Sequence, residues 1–354
     1  MPLSYVLPIR TAAPRADLAL YLRWLAERVE VIVVDGSDPD VFERHAGAFG
    51  PTVRHVPVDP ARVTAMGKVG GVMTGVVLAA HDHVVIADED VVYTEAELQR
   101  VDRWLDEVDV VRPQNWFDAL PWHARWDTGR ILLNRMTGGD WPGTLGVRRS
   151  TLLPAGGYAG DVLFENLELV RTIEAAGGRS AVDLGLLVRR RPPGTSQFLD
   201  QRVRQAYDEL ARPWRLLAHL AVIPFVAATG PRGAAALAAG TMAVAEAGRR
   251  RSGGRRVFPP TSALSAPLWM AERSVTSWLA LASRLCLGGV RYRDGILPRA
   301  ATPARELRQQ VAAMAEASRS AAPSAKVRNS DGSVSSSSSS SGRPAASVTT
   351  STRA

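Results

Sequence analysis

The stretch VVIADED at residues 84–90 decides the predicted fold, because four small or apolar residues run straight into three acids. A continuous apolar run of this kind is typical of a strand buried on both faces in a parallel sheet. Side chains alternate along a strand, so we expect Asp88 and Asp90 to point one way and Glu89 the other. Two carboxylates are therefore predicted at the carboxyl end of a buried strand, the edge where open α/β sheets bind ligands.

These paired carboxylates predict a cation site. Asp88 and Asp90 would repel each other unless a cation lay between them. Carboxylate oxygens suit Mg²⁺ or Mn²⁺, ions that are usually shared with the phosphates of a substrate. The alternative interpretation is a strand that ends in a solvated acidic turn, since short acidic motifs often match by chance.

Composition favours a globular protein with an anionic partner. The chain has 354 residues, is 46% hydrophobic and has a formal net charge of +8. Almost all the basic residues are arginines, and Lys68 and Lys326 are the only lysines. A basic balance fits nucleic acid, an acidic membrane surface or a phosphorylated substrate. The single cysteine, Cys286, excludes an internal disulfide and a cysteine-based zinc site.

Strand-like and helical segments alternate through the first half of the chain. Strands are predicted at residues 4–9, 29–34, 53–58, 84–90, 108–111 and 182–188, and helices at 17–28, 67–80, after Thr94, and at 163–176. Thr94 and Glu97 have the spacing of a helix capping box. The alternation predicts βαβ units and therefore an α/β fold with a mainly parallel sheet flanked by helices. Residues 113–157, rich in tryptophan and glycine, are predicted as a loop-rich binding segment or as a roof over the core.

The sequence becomes apolar and alanine-rich after residue 213. The runs 216–230 and 234–248 are each shorter than the about 20 residues that cross a bilayer. An arginine cluster follows at 249–256, and residues 263–287 mix apolar, charged and tryptophan side chains, as a helix lying at a membrane interface would. A soluble helical domain is the alternative. The serine-rich stretch from about residue 318 predicts disorder.

The predicted organisation has three parts. Residues 1–212 form the α/β catalytic domain, 213–300 a membrane-associated helical region, and 301–354 a helix followed by a serine-rich tail. The amino terminus enters a strand directly and has no secretory signal pattern, so we expect the first domain on the cytoplasmic side of the cell membrane.

Several motifs together resemble family 2 glycosyltransferases. They are Val6-Leu7-Pro8 at the end of the first strand, VVDGS at 33–37, Gly67-Lys68 at a helix start, Asp88-Glu89-Asp90, FENLEL at 164–169 and QRVRQ at 201–205. The resemblance covers about residues 3–210 and implies the GT-A fold with a nucleotide-activated sugar as substrate. QRVRQ is similar to the Gln-x-x-Arg-Trp motif of membrane-associated members, including ceramide glucosyltransferases, but Gln205 replaces the tryptophan.

The resemblance also implies roles for particular residues. The nucleotide-sugar site would comprise Pro8, Asp35, Lys68, Asp88, Gln201 and Arg204, and Asp88 and Asp90 would hold Mn²⁺ or Mg²⁺. Asp35 would accept from the nucleotide base, or merely form the turn. Lys68, at a helix N-terminus, would bind a phosphate, or lie on the surface. Arg204 would clamp the diphosphate beside Gln201 on one helix face, or the helix would simply be solvated.

The residue that would act as base departs from the family pattern. An inverting transfer needs a base to take the proton of the acceptor hydroxyl as it attacks the anomeric carbon. The acid that usually serves is replaced by Asn166, which does not accept a proton at neutral pH. Glu165 is the preferred substitute and Glu168 the second candidate. Glu168 could instead only pair with Arg171 along the helix.

The predicted function is therefore an inverting, metal-dependent glycosyltransferase. It would move a sugar from a nucleotide-diphosphate sugar to a hydroxyl acceptor, with a lipid as one candidate, at the cytoplasmic face of the membrane. The alternative is a non-catalytic nucleotide-sugar-binding or membrane-scaffold protein on the same fold, which the replacement at Asn166 suggests. A nucleotidyltransferase would need a glycine-rich loop after the first strand, and residues 10–15 lack it. Nucleic acid is not an expected partner, since the arginine clusters flank apolar helices.

Overall fold

An eight-stranded sheet forms the centre of this computed structural model, which describes residues 1–292 and 295–321. The strand order is β3-β2-β1-β4-β7-β6-β8-β5. The strands are β1 (Leu3–Ile9), β2 (Glu30–Asp35), β3 (Arg54–Pro57), β4 (His83–Ala87), β5 (Val91–Val92), β6 (Val110–Phe117), β7 (Thr144–Arg148) and β8 (Ser180–Arg190). β7 pairs antiparallel with β4 and β6, β5 pairs antiparallel with β8, and the other pairs are parallel. The predicted mainly parallel α/β fold is confirmed.

Helices cover both faces of this sheet. They are α1 (Ala16–Ala26), α2 (Pro39–Phe49), α3 (Gly67–Leu78), α4 (Glu95–Glu107), α5 (Trp122–Met136), α6 (Arg149–Leu152), α7 (Glu165–Ala175), α8 (Thr195–Asp200), α9 (Arg202–Tyr207), α10 (Pro213–Arg250), α11 (Ala266–Leu287) and α12 (Ala304–Ala321). A short hairpin of β9 (Val290–Tyr292) and β10 (Gly295–Leu297) follows α11. In β1, Val6 packs into one apolar cluster while Tyr5 and Leu7 pack into the other, as alternation along a doubly covered strand requires.

The capping box predicted before α4 is confirmed. The hydroxyl of Thr94 accepts a hydrogen bond from the backbone N–H of Glu97 (3.4 Å), and the Glu97 carboxylate accepts one from the backbone N–H of Thr94 (2.7 Å). The two bonds fix where α4 begins, directly after the β4–β5 turn that holds the three acids. Local sequence therefore sets the end of the loop on which the paired acids lie.

The predicted loop at residues 113–157 is wrong. β6 continues to Phe117, and α5, β7 and α6 follow. Most residues of α5 are buried, but several of them are polar, so the segment lacks a clear apolar stripe. Arg130 illustrates this, because its guanidinium bonds Asp127 (2.8 Å) and Asp140 (2.5 Å) within the interior. A helix stabilised by buried ion pairs does not show the hydrophobic periodicity that identifies a helix in sequence.

The apolar helices after residue 213 confirm the last part of the predicted fold class. α10 is broken at Gly230, whose φ of 65° lies outside the helical range and is followed by Pro231. α11 packs against both α10 and α5. A shared apolar cluster joins Ile131, Ala245 and Trp269, so these helices share a core with the α/β part. The division at residue 213 stays a prediction.

The last described helix returns to the α/β part. Leu307 and Val311 of α12 are buried, and Gly156 lies against Met314. The serine-rich segment for which disorder is predicted lies outside the described residues beyond position 321.

Candidate functional site

A cleft of about 720 Å³ opens at the carboxyl ends of β1, β2 and β4. Its position agrees with the general rule for ligand sites in open α/β sheets. Of the predicted site residues it contains Pro8, Lys68, Asp88, Asp90 and Gln201. It also contains charged and polar residues for which the sequence analysis predicts no role: Arg10, Arg15, Glu89, Arg190, Arg191 and Gln197.

The three acids after β4 all line this cleft. Asp88 and Asp90 lie together as predicted, because both face the guanidinium of Arg190. Asp90 Oδ2 accepts from Arg190 Nε at 2.8 Å, and Asp88 Oδ2 lies 3.6 Å from Nη2. Glu89 lines the same cleft, although strand alternation predicts that it points to the other side. β4 ends at Ala87, so the acids sit in a turn where strand alternation no longer applies.

Lys68 joins the acid cluster to α7. Its Nζ lies 2.6 Å from Asp88 Oδ1 and 2.7 Å from Glu165 Oε1. Burial acts to lower the pKa of Lys68, but the two carboxylates outweigh it and raise the pKa above its usual range. Lys68 is therefore a permanently charged group at the first turn of α3, the end of a helix that attracts anions.

Two glycines of α3 determine how closely this helix end approaches the sheet. A Cβ added to Gly71 would lie 2.8 Å from the Cβ of Pro8, and one added to Gly75 would lie 2.4 Å from Val6 Cγ1. Only glycine permits this contact between α3 and β1. The close packing brings the N-terminus of α3 to the same edge as the acids.

The acid cluster has oxygens suited to a divalent cation. Oδ1 of Asp90 and Oε2 of Glu89 are buried and accept no hydrogen bond from the described residues. Burial is the main cause that raises the pKa of both side chains; Arg190 opposes it at Asp90, and Arg15 opposes it at Glu89. Buried carboxylate oxygens without a hydrogen-bond donor, on side chains whose residues line a polar cleft, are the type of ligand atom that Mg²⁺ and Mn²⁺ prefer. The residues present therefore fit the metal that the sequence predicts.

Asp35 does not occupy the predicted place. Val34 and Gly36 line the cleft, but the Asp35 carboxylate is only 2% exposed and faces inward. Its Oδ2 lies 2.6 Å from His45 Nδ1 and 3.0 Å from His55 Nε2, and its Oδ1 accepts from the backbone N–H of Ser37. These are hydrogen-bond lengths. The predicted contact of Asp35 with a nucleotide base is therefore wrong, because the carboxylate is already hydrogen-bonded inside the protein, where its role is structural.

This buried cluster predicts an acid-sensitive contribution to stability. Burial acts to raise the pKa of Asp35, but hydrogen bonds from His55, Ser37 and His45 hold it well below the usual range. A depressed folded pKa gives stability that is present above the unfolded pKa of about 3.9 and is lost as pH falls below it. We expect Asp35→Asn to lower the free energy of unfolding by about 1–3 kcal/mol at pH 7, with the difference from wild type shrinking as the pH falls below about 3.9.

The measurement is urea unfolding at a series of pH values from 7 down to 3. The exposed Asp40 on α2 supplies the matched control, since Asp40→Asn should change stability by less than about 0.5 kcal/mol at every pH. Equal stability of Asp35→Asn and wild type at pH 7 would show that the cluster contributes nothing.

Arg204 lies outside the cleft, so its predicted role as a diphosphate clamp is wrong. Its guanidinium stands 5.7 Å from the ring centre of Tyr292 on β9, while Gln201, three residues earlier, lines the cleft. Gln201 occupies the junction between α8 and α9, and Arg204 follows one turn later on the side that packs against β9. The cleft instead contains Arg190 and Arg191, at the end of β8.

A second, smaller cavity of about 160 Å³ lies on the other side of the acid cluster. Asp88 and Arg190 line both cavities, whereas Glu165 and Asn166 line only the smaller one. Glu165 is thus the catalytic candidate that the structure brings to the acids, through Lys68.

Glu168, the second catalytic candidate, is buried away from both cavities. Its side chain is fully inaccessible, and Oε2 accepts from the backbone N–H of Thr302 at 2.8 Å. The predicted catalytic role of Glu168 is therefore wrong, because its side chain faces the segment that leads into α12 and not a cavity. The alternative pairing with Arg171 is not formed either, because the guanidinium of Arg171 bonds the carbonyl of Ala211.

Three solved structures with a similar chain path are glycosyltransferases. A mannosyltransferase from Pyrobaculum calidifontis, solved with GDP-mannose and Mn²⁺, is 17% identical; the match covers 89% of this chain and 86% of that one, with a TM-score of 0.47. Glucosyl-3-phosphoglycerate synthase from Mycobacterium tuberculosis, solved with Mn²⁺, UDP and phosphoglyceric acid, is 20% identical over 55% of this chain and 72% of that one, with a TM-score of 0.38. Mannosyl-3-phosphoglycerate synthase from Rubrobacter xylanophilus is 16% identical over 57% and 70%, with a TM-score of 0.38. No family profile and no curated protein matches the chain.

Proposed function

We propose that this protein is an inverting, metal-dependent glycosyltransferase that uses a nucleotide-diphosphate sugar. The observation that carries the proposal is the meeting of Asp88, Asp90, Lys68 and Arg190 in one cleft at the carboxyl edge of the sheet. A volume of about 720 Å³ falls within the usual range for small-molecule and cofactor sites. Cations beside paired acids suit a diphosphate that shares a divalent ion with the protein.

The donor would be held at its diphosphate. Lys68 and the N-terminus of α3 present positive charge from one side of the cleft, and Arg190 and Arg191 do so from the other. When bound by Asp88 and Asp90, Mn²⁺ or Mg²⁺ would offset the negative charge that develops on the leaving nucleoside diphosphate. Pro8 and Gly36, at the ends of β1 and β2, would bound the part of the cleft that receives the nucleoside.

The acceptor would enter from the smaller cavity. Its hydroxyl oxygen would attack the anomeric carbon from the face opposite the diphosphate, and Glu165 would take the hydroxyl proton. Glu165 lies at the boundary between the cavities and is held there by Lys68 at 2.7 Å. This contact positions the carboxylate, while Asn166 beside it is left to donate or accept hydrogen bonds only.

The enzyme would act at the membrane, where a lipid acceptor would be within reach. The helical stretch Pro213–Arg256 is long and apolar enough to cross a bilayer, and 6% of its most apolar window is buried. Both ends of α10 pack on the protein, since Leu216 and Ala245 are buried. Residues between them, including Ile223 and Phe225, are exposed around the break at Gly230. Within the arginine cluster at 249–256, the exposed Arg250, Arg255 and Arg256 would face anionic headgroups on the cytoplasmic side, whereas Arg249 is buried and paired with Glu246.

The membrane proposal predicts that charge placed on α10 releases the protein from lipid. The double variant Ile223→Asp/Phe225→Asp should bind vesicles of mixed neutral and anionic lipid at least about tenfold more weakly, because each buried apolar side chain contributes about 1.5–3 kcal/mol. Leu20 on α1 is 65% exposed, so Leu20→Asp is the matched control and should bind as wild type does. If the wild-type protein did not float with the vesicles in a density gradient, the membrane assignment would be contradicted.

A turnover screen tests the activity itself. The full chain is incubated with UDP- and GDP-sugars, Mn²⁺ and vesicles, and released nucleoside diphosphate is measured. If the protein is a glycosyltransferase, it should release nucleoside diphosphate, and the release should depend on Mn²⁺. A non-catalytic nucleotide-sugar-binding or scaffold protein, the alternative suggested by Asn166, would bind the same sugars with Mn²⁺ and release nothing.

A further inference from the structure

The smaller cavity has a chemical character of its own. It measures about 160 Å³ and is lined mainly by polar and charged side chains. Four arginines reach it, namely Arg130, Arg190, Arg212 and Arg273. A cavity of this size holds a compact polar group and is too small for a whole nucleotide.

Several donors in its wall lack an acceptor. Arg273 is 1% exposed, and neither its Nε nor its Nη1 finds a hydrogen-bond acceptor among the described residues. The same is true of Nε of Arg212 and of Nε1 of Trp269, within the part of the chain that the structure describes. Leaving buried donors unpaired costs roughly 1–3 kcal/mol for each group, and more for a charged one. Such a cluster therefore indicates a missing acceptor.

The neighbouring acids do not supply that acceptor. Glu209 is bound by Arg212 at 3.0 Å and by Arg215 at 3.1 Å. Asp208 lies at the same cavity, but burial raises its pKa well above the usual range, and its Oδ1 accepts no hydrogen bond from the described residues. Arg130 is already engaged by Asp127 and Asp140, so it is not one of the donors that need an acceptor.

Aromatic rings fix the direction of the two guanidinium groups that remain. Arg273 stands 5.1 Å from the ring centre of Trp269, and Arg212 stands 5.2 Å from that of Phe164. Contacts between guanidinium faces and aromatic rings leave the N–H edges in position to donate. Nη2 of Arg212 is taken by Glu209 (3.0 Å), so Arg212 offers its Nε, and Arg273 offers its Nε and Nη1. Both arginines are thus oriented before any ligand arrives, as anion-binding arginines need to be.

We propose that the acceptor carries a phosphomonoester, which the smaller cavity binds through Arg212 and Arg273. This inference rests on the proposed function and specifies the acceptor class. The anchored phosphate would place a hydroxyl of the same molecule at Glu165, whose carboxylate lines the cavity beside Asp88. A water-soluble sugar or glycerol phosphate and a phosphorylated lipid headgroup share this chemistry.

The test uses the full chain with Mg²⁺ and saturating UDP or GDP, so that the larger cleft is filled before phosphate is added. Isothermal titration with inorganic phosphate should show one further site, and Arg273→Gln and Arg212→Gln should each weaken it at least tenfold. The exposed Arg44 on α2 gives the matched control Arg44→Gln, with unchanged phosphate affinity. All three variants should bind the nucleoside diphosphate within about twofold of wild type.

Each outcome decides the matter. The inference is overturned if the wild-type protein does not bind phosphate, or if the folded cavity variants bind phosphate as tightly as the wild type does. The first outcome needs no variant, so it decides even if a variant fails to fold. If the wild-type protein binds the nucleoside diphosphate but not phosphate, the proposed function stands and only the inference about the acceptor fails. If the wild-type protein does not bind the nucleoside diphosphate, the proposed function itself is contradicted. To separate the sources, nucleotide-sugar turnover is measured with glycerol 3-phosphate and with vesicles that contain lysophosphatidic acid, a phosphomonoester lipid that keeps a free hydroxyl. Acceleration by the first indicates a soluble acceptor, acceleration by the second alone indicates a lipid, and acceleration by neither counts against a phosphomonoester.

Discussion

Asp90→Asn should lower sugar transfer by at least about 10²–10³-fold while the protein stays folded, a loss comparable to removing one group that stabilises transition-state charge. Asp90 Oδ1 is buried without a hydrogen-bond donor among the described residues, and Oδ2 accepts from Arg190. Asparagine keeps the shape of the side chain but removes the charge that would hold a divalent ion. Initial rates of nucleoside diphosphate release at saturating donor and Mn²⁺ give the measurement.

The control for this variant is Asp106→Asn on α4, whose carboxylate is 71% exposed and lies outside both cavities. Its rate should match that of wild type within about twofold. If Asp90→Asn turned over at the rate of the control, the acid cluster would have no part in catalysis. Thermal unfolding of both variants shows whether a lost rate reflects the site or the fold.

Glu165→Gln should lower kcat by about 10²–10⁴-fold and leave KM for the donor nearly unchanged. The glutamine fills the same space at the boundary of the two cavities but cannot take a proton. Lys68 keeps its ion pair with Asp88, so the donor side of the cleft should remain intact. Steady-state kinetics with varied donor separate the two parameters.

Glu168→Gln separates Glu165 from the other acid of the same helix. Glu168 is inaccessible and bonds the backbone N–H of Thr302, so its loss should reduce the free energy of unfolding by about 1–3 kcal/mol and leave kcat within about threefold of wild type. A large drop in kcat for Glu168→Gln together with normal turnover by Glu165→Gln would reverse the two assignments.

The sequence predicts where the main strands lie along the chain and where the acids follow them, because both depend on local patterns. Apolar β-branched runs identify β2 and β4, and the acids come directly after β4. Thr94 and Glu97 define the start of α4 through contacts three residues apart. The position of Lys68 follows in the same way from the start of α3.

What the sequence did not predict depends on contacts between distant residues. Arg190 meets Asp90 across 100 positions of the chain, because β8 pairs with β5 at the edge of the sheet. The sequence shows arginines at the end of β8, but only the order of the strands in the sheet shows which edge they reach. His45 and His55 similarly converge on Asp35 from α2 and β3, and no spacing rule links those three positions.

Buried polar side chains account for the missed helices. α2 carries His45 on the same buried face as Val41 and Phe49, which weakens the apolar stripe that would reveal it. α5 places Asp127, Arg130 and other polar residues in the interior. The smaller cavity lies next to this network, so the segment that looks least regular in sequence forms one wall of the proposed acceptor site.

Direct binding of Mn²⁺ tests the central claim, that the acids after β4 hold a divalent ion for a diphosphate. Electron paramagnetic resonance counts free Mn²⁺ as it is titrated into the protein with UDP or GDP present. The account predicts one tightly bound ion per chain in the wild type, and binding at least tenfold weaker in both Asp88→Asn and Asp90→Asn. Equal binding of Mn²⁺ by the wild type and both variants would contradict it.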